Sequence, residues 1–143
     1  KKLVSTSKGM TFAQTSPFFA IRNAHMAKKL NTVKKLMKQK NFTAFGELIE
    51  AEALEMHAIM ITSSPSLIYW SEGTLKLMKL VKQWRQEGLP VYFTINTGQD
   101  IHLLVESLHV STLEEKLKHI PDVKKVFVNK PGSGSYITEQ HLF

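Results

Sequence analysis

The sequence predicts an α+β fold, with helices packed on one face of a small antiparallel sheet. Three observations predict it. Apolar residues recur at helical spacing through most of residues 17–86. Two apolar runs, Val91–Ile95 and Ile101–Val105, then flank a polar turn, Asn96–Asp100. The helical stretches come first and the strands follow. At 143 residues the chain reads as one domain, large enough to bury a core.

The elements follow in order. Lys1–Gly9 mixes lysine with hydroxyl residues, and its Val4–Gly9 stretch reads as a strand end running into a loop. Such a loop can donate several hydrogen bonds to an anion, with Lys8 adding charge. It suits a plain polar surface loop equally well. Thr15-Ser16-Pro17 is a helix-start signal, a capping hydroxyl followed by proline. A long helix is expected from about residue 17 to residue 39, with Phe18, Ile21, Ala24, Met26, Leu30, Val33, Leu36 and Met37 as its apolar stripe.

Asn41 opens a second helix, Phe42 to about Thr62, with Ile49, Ala53, Met56 and Met60 on its buried face beside Leu48 and Ile59. Ser63-Ser64-Pro65-Ser66 breaks the pattern. A third helix starts at Ser71 or Thr74, carries Leu75, Met78, Leu80, Val81 and Trp84, and ends at Gly88. The hairpin comes next, because Val, Tyr, Phe, Thr and Ile favour strands and Asn-Thr-Gly-Gln-Asp is turn chemistry. Ser111 and Glu114 form a capping-box pattern for a short helix that Pro121 stops. Val123–Asn129 alternates and is expected as a further strand. Gly132-Ser133-Gly134-Ser135 reads as a tail or linker, since no helix follows to make it a phosphate loop.

Composition narrows the function classes. The chain has no cysteine, so disulfides and thiolate metal sites are excluded. No apolar run approaches the length of a membrane span, and no stretch reads as a signal peptide, so a cytoplasmic location is expected. The first residue is Lys, which hints at a fragment or a processed product. The net charge of +7 is unevenly placed: residues 1–40 hold ten Lys or Arg and no acid. Such an end favours an anionic partner or forms a solvated lysine face. There is no nucleophile elbow, Walker loop or dinucleotide fingerprint, and no histidine pair with metal-ligand spacing, so no metal site is expected. The residues alone stop at a basic α+β domain with an anion-binding bias.

A family resemblance adds to this. VSTSKGM at Val4–Met10 followed by TSPFF at Thr15–Phe19, EMHA at Glu55–Ala58, Ser64-Pro65 through Tyr69, and VYFTINTGQDI at Val91–Ile101 occur in order. Together they resemble the mevalonate diphosphate decarboxylases, of the superfamily shared with galactokinase, homoserine kinase and mevalonate kinase. The likeness covers about residues 2–106 and implies the C-terminal domain of that superfamily, spanning 1–143, without an N-terminal ATP-binding domain.

The resemblance implies an ATP-dependent conversion of mevalonate 5-diphosphate to isopentenyl diphosphate, in isoprenoid synthesis. ATP and Mg would be bound mainly by the N-terminal half, which becomes an implied partner along with the substrate. Homodimers are common in the family. The serine that contacts the substrate's diphosphate falls on Thr6, an arginine position falls on Ser7, and Lys8 is the nearby charge. The family carboxylate falls on Asn96, and Asp100 is a candidate substitute across the turn. His57, in EMHA, falls on the wall of the site. Asn96 keeps shape and a hydrogen-bonding oxygen but cannot accept a proton. Two alternatives stay open: a kinase that phosphorylates mevalonate or its phosphate without decarboxylation, and a non-enzymatic basic module for nucleic acid or an acidic partner. Against nucleic acid, the aromatic residues do not interleave with the lysines as a stacking surface.

Overall fold

The structure, a computed structural model, describes residues 4–135 and 137–138. Its helices are α1 (Thr6–Ala13), α2 (Phe19–Lys38), α3 (Phe42–Thr62), α4 (Glu72–Gln86) and α5 (Val110–Lys118). The strands β1 (Val91–Ile95) and β2 (Ile101–Val105) lie between α4 and a 3-10 turn at Ser107–His109. They pair antiparallel, with Val91 opposite Val105 and Ile95 opposite Ile101.

The α+β expectation holds, and α3 and the hairpin fall where the pattern places them. One core joins α4, β1, β2 and α5, and includes Val81, Trp84, Val91, Phe93, Ile95, Leu113 and Leu117. A second, smaller cluster joins α1 to α3 through Ala13, Ile59, Met60, Leu67 and Tyr69. The other side of β1 meets α3: Tyr92 is 2% exposed and stands edge-on to Phe42, with ring centroids 5.6 Å apart. Gly46 makes that approach possible, because a Cβ there would lie 2.2 Å from the Tyr92 ring.

Several local expectations are corrected. Residues 6–9 belong to α1, so Thr6-Ser7-Lys8 is the first turn of a helix and not a loop. Ser5 caps it, its hydroxyl accepting from the Lys8 N–H at 3.3 Å. The Thr15-Ser16-Pro17 signal does not cap α2, which starts at Phe19 with no side-chain cap. Those hydroxyls clasp the far end of α3 instead: Ser16 Oγ meets Thr62 Oγ1 at 2.7 Å, and Thr15 Oγ1 accepts from the Ser64 N–H at 2.7 Å.

α2 has no buried residue. Of its expected stripe, Met26, Val33 and Leu36 are half-buried, while Phe18, Ile21, Leu30 and Met37 are exposed. α2 packs on α3, and Arg22 and Lys29 on its inner face pair with Glu52 and Glu55. In α3, Ala53, Ile59 and Met60 are buried as expected, but Glu50 and His57 share the buried row with Ala53 and Met60. Ser71 and Thr74, read as alternatives, form one reciprocal capping box on α4.

The Ser111–Glu114 box does not form, because the 3-10 turn feeds α5 from His109 and leaves Ser111 inside the helix. Residues 123–129 form no strand. Alternation makes a segment competent to pair, but a strand needs a neighbour, and here Val126, Phe127 and Val128 are 44, 72 and 51% exposed.

Candidate functional site

The hairpin turn is held from two directions. Thr6 Oγ1, at the start of α1, lies 2.8 Å from Thr97 Oγ1 in the turn. On the opposite flank Thr74 Oγ1, in the capping box of α4, donates to the Gln99 carbonyl at 2.9 Å. The two helix starts therefore meet the two halves of one turn. Asn96 follows the last residue of β1, Asp100 precedes the first of β2, and both are exposed.

Thr6, Ser7 and Lys8 are exposed on the first turn of α1, which carries no acid. A helix start has unpaired N–H groups and a partial positive charge, both of which favour an anion. α1 can sit so close because Gly9 packs on the Tyr69 hydroxyl; a Cβ there would lie 2.6 Å from that oxygen. The glycine of VSTSKGM is thus a packing residue that seats the hydroxyl-rich turn beside the hairpin.

His57 reaches the turn from beneath. It is 1% exposed, so it has no open face toward a ligand in this chain. Its ring lies 4.7 Å from the Trp70 ring and 6.2 Å, edge-on, from Tyr69. Burial holds the imidazole below its ordinary pKa, and hydrogen bonding to the backbone at Asn96 and Ile95 opposes this without cancelling it. His57 is therefore neutral near pH 7.

Seven residues before it on α3, Glu50 is also buried. Its carboxylate takes a two-pronged contact from Arg85, at 3.0 and 3.1 Å, and accepts from the Phe93 N–H at 3.4 Å. Arg85 also donates to the Val91 carbonyl at 2.9 Å. Among the described residues no group of three or more His, Asp or Glu could hold a metal ion, and no helix is long and apolar enough to cross a membrane. A shallow concavity of about 370 Å³ lies on α4, between Leu75, Lys76, Lys79 and Leu80, and none of its walls belongs to the turn or to α1.

The sequence-predicted residues are therefore partly gathered. Thr6 touches the turn, Ser7 and Lys8 follow it on the same helical turn, Asn96 and Asp100 bracket the turn, and His57 supports it. Thr97, Thr74, Glu50 and Arg85 were missed. The Thr6–Thr97 contact spans 91 positions, which no local pattern reports. Glu50 carried a readable signal, since a carboxylate falling between Gly46 and Ala53 on an apolar row calls for a buried partner.

Residues 1–138 match the family described as Mevalonate 5-diphosphate decarboxylase C-terminal domain. The chain is similar to the phosphomevalonate decarboxylase of Haloferax volcanii, 28% identical over 111 residues, covering 77% of this chain and 34% of that protein. Among solved structures it resembles the mevalonate diphosphate decarboxylase from Enterococcus faecalis: 36% identity, TM-score 0.78, 83% of this chain and 38% of that one. It also resembles MDDEF in complex with MVAPP, AMPPCP and magnesium, with 36% identity, TM-score 0.80, and 85% and 37% covered. The chain thus spans about a third of the length of the curated relative it matches.

Proposed function

Since the chain belongs to the mevalonate 5-diphosphate decarboxylase C-terminal domain family, we propose that it supplies the acceptor side of an ATP-dependent decarboxylase acting on mevalonate 5-diphosphate. The observation that carries this reading is the 2.8 Å contact between Thr6 and Thr97, which sets an anion-favouring helix start against the Asn96–Asp100 turn. A substrate with a phosphate chain at one end and a hydroxyl at the other needs those two features side by side.

In this reading Thr6 and Ser7 donate hydroxyl hydrogens to the diphosphate, the first N–H groups of α1 add to them, and Lys8 supplies charge. Lys8 is a point charge and not a planar fork, so it fixes the diphosphate less rigidly than an arginine would. Asn96 orients the substrate's hydroxyl by hydrogen bonding and takes no proton from it. Asp100 is the turn's carboxylate and the candidate general base, worth on the order of 10²–10⁴-fold when well placed. His57 acts from beneath the turn. ATP and Mg²⁺, which the family resemblance implies, are assigned in this reading mainly to the N-terminal half of the protein. ATP supplies the phosphoryl group whose later loss accompanies decarboxylation.

Asn96 at the family carboxylate position also favours a second reading, phosphorylation without decarboxylation. The two separate on products: ADP, phosphate, carbon dioxide and isopentenyl diphosphate, against ADP and the phosphorylated substrate. The 143-residue chain by itself is expected to turn over neither.

The test is calorimetric titration of the chain with mevalonate 5-diphosphate, beside mevalonate 5-phosphate, mevalonate and pyrophosphate. Saturable binding that needs both ends of the ligand and weakens in Thr6→Ala supports the reading. Binding of mevalonate 5-diphosphate no tighter than pyrophosphate overturns it and leaves a general anion surface.

A further inference from the structure

We propose that Thr74 is a positioning residue for Asp100, and that the capping box of α4 fixes the direction in which its hydroxyl donates. Thr74 is 4% exposed and heads the buried row of α4, followed at helical spacing by Leu77, Met78 and Val81. Those three residues belong to the larger core. A hydroxyl at the head of such a row costs stability unless its hydrogen-bonding capacity is used.

The capacity is used in full. A threonine hydroxyl has one hydrogen to donate and two lone pairs. The Gln99 carbonyl, at 2.9 Å, can only accept, so the Thr74 hydrogen is committed to it. The contact between the Ser71 and Thr74 hydroxyls, at 2.9 Å, then has a single direction, with Ser71 donating. The Ser71 N–H takes the second lone pair of Thr74 at 3.2 Å, and the Ser71 oxygen accepts from the Thr74 N–H at 3.2 Å. A directed chain therefore runs from the Ser71 hydroxyl through the Thr74 hydroxyl to the Gln99 carbonyl, and each bond polarises the next.

The chain ends on the peptide that joins Gln99 to Asp100. A peptide is planar, so holding its carbonyl also sets the Asp100 N–H and Cα. On its other side Asp100 runs into β2 at Ile101, which pairs with Ile95. The backbone of Asp100 is thus held on both sides, and the only carboxylate of the Asn96–Asp100 turn leaves from a fixed point. In the other half of the turn the contact, Thr6 to Thr97, is exposed. This placement stands on the fold alone; that Asp100 then acts on a substrate rests on the proposed function.

The test uses the 143-residue chain. Without ligand, proton spectra are expected to show a Thr74 hydroxyl hydrogen coupled across its hydrogen bond to the Gln99 carbonyl carbon; coupling to another acceptor overturns the proposal. Backbone order parameters are then compared in three variants. Thr74→Val keeps the shape and loses the hydroxyl, Thr74→Ser keeps the hydroxyl, and Ser71→Ala breaks the capping box but leaves Thr74 its bond to Gln99. In Thr74→Val the order parameters of residues 98–100 are expected to fall from about 0.85 toward 0.6. Thr74→Ser should hold them, and Ser71→Ala should loosen residues 72–74 alone. An unchanged turn in Thr74→Val, or equal loosening of the turn in Ser71→Ala, overturns the positioning role. Should Thr74→Val not fold, the hydroxyl coupling and Ser71→Ala still decide. With ligand, Thr74→Val is expected to weaken mevalonate 5-diphosphate about fivefold and leave pyrophosphate unchanged, with Thr74→Ser restoring the affinity. Equal weakening of both ligands overturns the action through Asp100. Wild type that binds mevalonate 5-diphosphate no tighter than pyrophosphate sinks the acceptor reading and leaves the order parameters untouched.

Discussion

The Thr6–Thr97 pair is the smallest unit on which the site depends. The contact is exposed and joins two segments at 2.8 Å. Thr→Val at either position keeps the shape and removes the hydroxyl, so each is expected to cost about 0.5–1 kcal/mol. Because the two hydroxyls serve each other, the double variant should cost less than the sum. A thermal-melt cycle that returns strict additivity removes the clasp from the argument. His57 carries a prediction of a different kind. Its folded-state pKa lies below the ordinary value, so between the two values the unfolded chain binds the extra proton. The stability contributed by keeping it neutral is complete above about pH 6.5 and is lost as pH falls from there toward the folded value. Wild type should therefore lose more melting temperature between pH 8 and pH 5.5 than His57→Asn does. Equal losses would place the acid sensitivity in another of the six histidines.

At the scale of elements, α3 organises the domain, because one of its rows serves β1 throughout. Gly46 admits the Tyr92 ring, Glu50 meets the Phe93 N–H, and His57 reaches the end of the strand. Gly46→Ala puts a methyl 2.2 Å from a ring that is 2% exposed and has nowhere to go. Overpacking of this kind costs about 1–3 kcal/mol, which outweighs the propensity alanine gains in a helix. Urea melts should show it, and a stabilised variant would mean that α3 is not pressed against β1. The same row marks what the sequence could and could not tell. α3 and the hairpin were legible because their periods are local. α1 was not: TSKGMTFA is only eight residues long with a glycine inside it, and it is seated by a tyrosine sixty residues downstream. The strand expected at 123–129 failed for the converse reason, since its period is sound but the described residues offer it no partner strand. The gathering of Thr6 with Asn96 came from family likeness alone, because contacts between distant segments leave no local period.

For the whole molecule, the open question is which part of its positive charge does specific work. Residues 1–40 hold ten cations, of which Lys8 lies in α1 and six lie in α2. Lys34, Lys35 and Lys38 lie at least fifteen residues along α2 from its start at Phe19, a distance of about 22 Å. That is more than two screening lengths in physiological salt, about 8 Å each. If α1 and the hairpin turn hold the diphosphate, these lysines contribute little to its affinity, whereas Lys8 sits in the turn that contacts it. Replacing Lys34, Lys35 and Lys38 together with Gln should change the dissociation constant for mevalonate 5-diphosphate by less than about twofold at 0.15 M salt. Lys8→Gln should weaken it about fivefold or more, within the range of one charge-assisted contact. The reverse pattern would assign anion binding to the lysine face of α2. In that case pyrophosphate should compete as well as the full substrate, with affinity falling steeply as salt rises, and the helix start beside the hairpin would be a structural joint only.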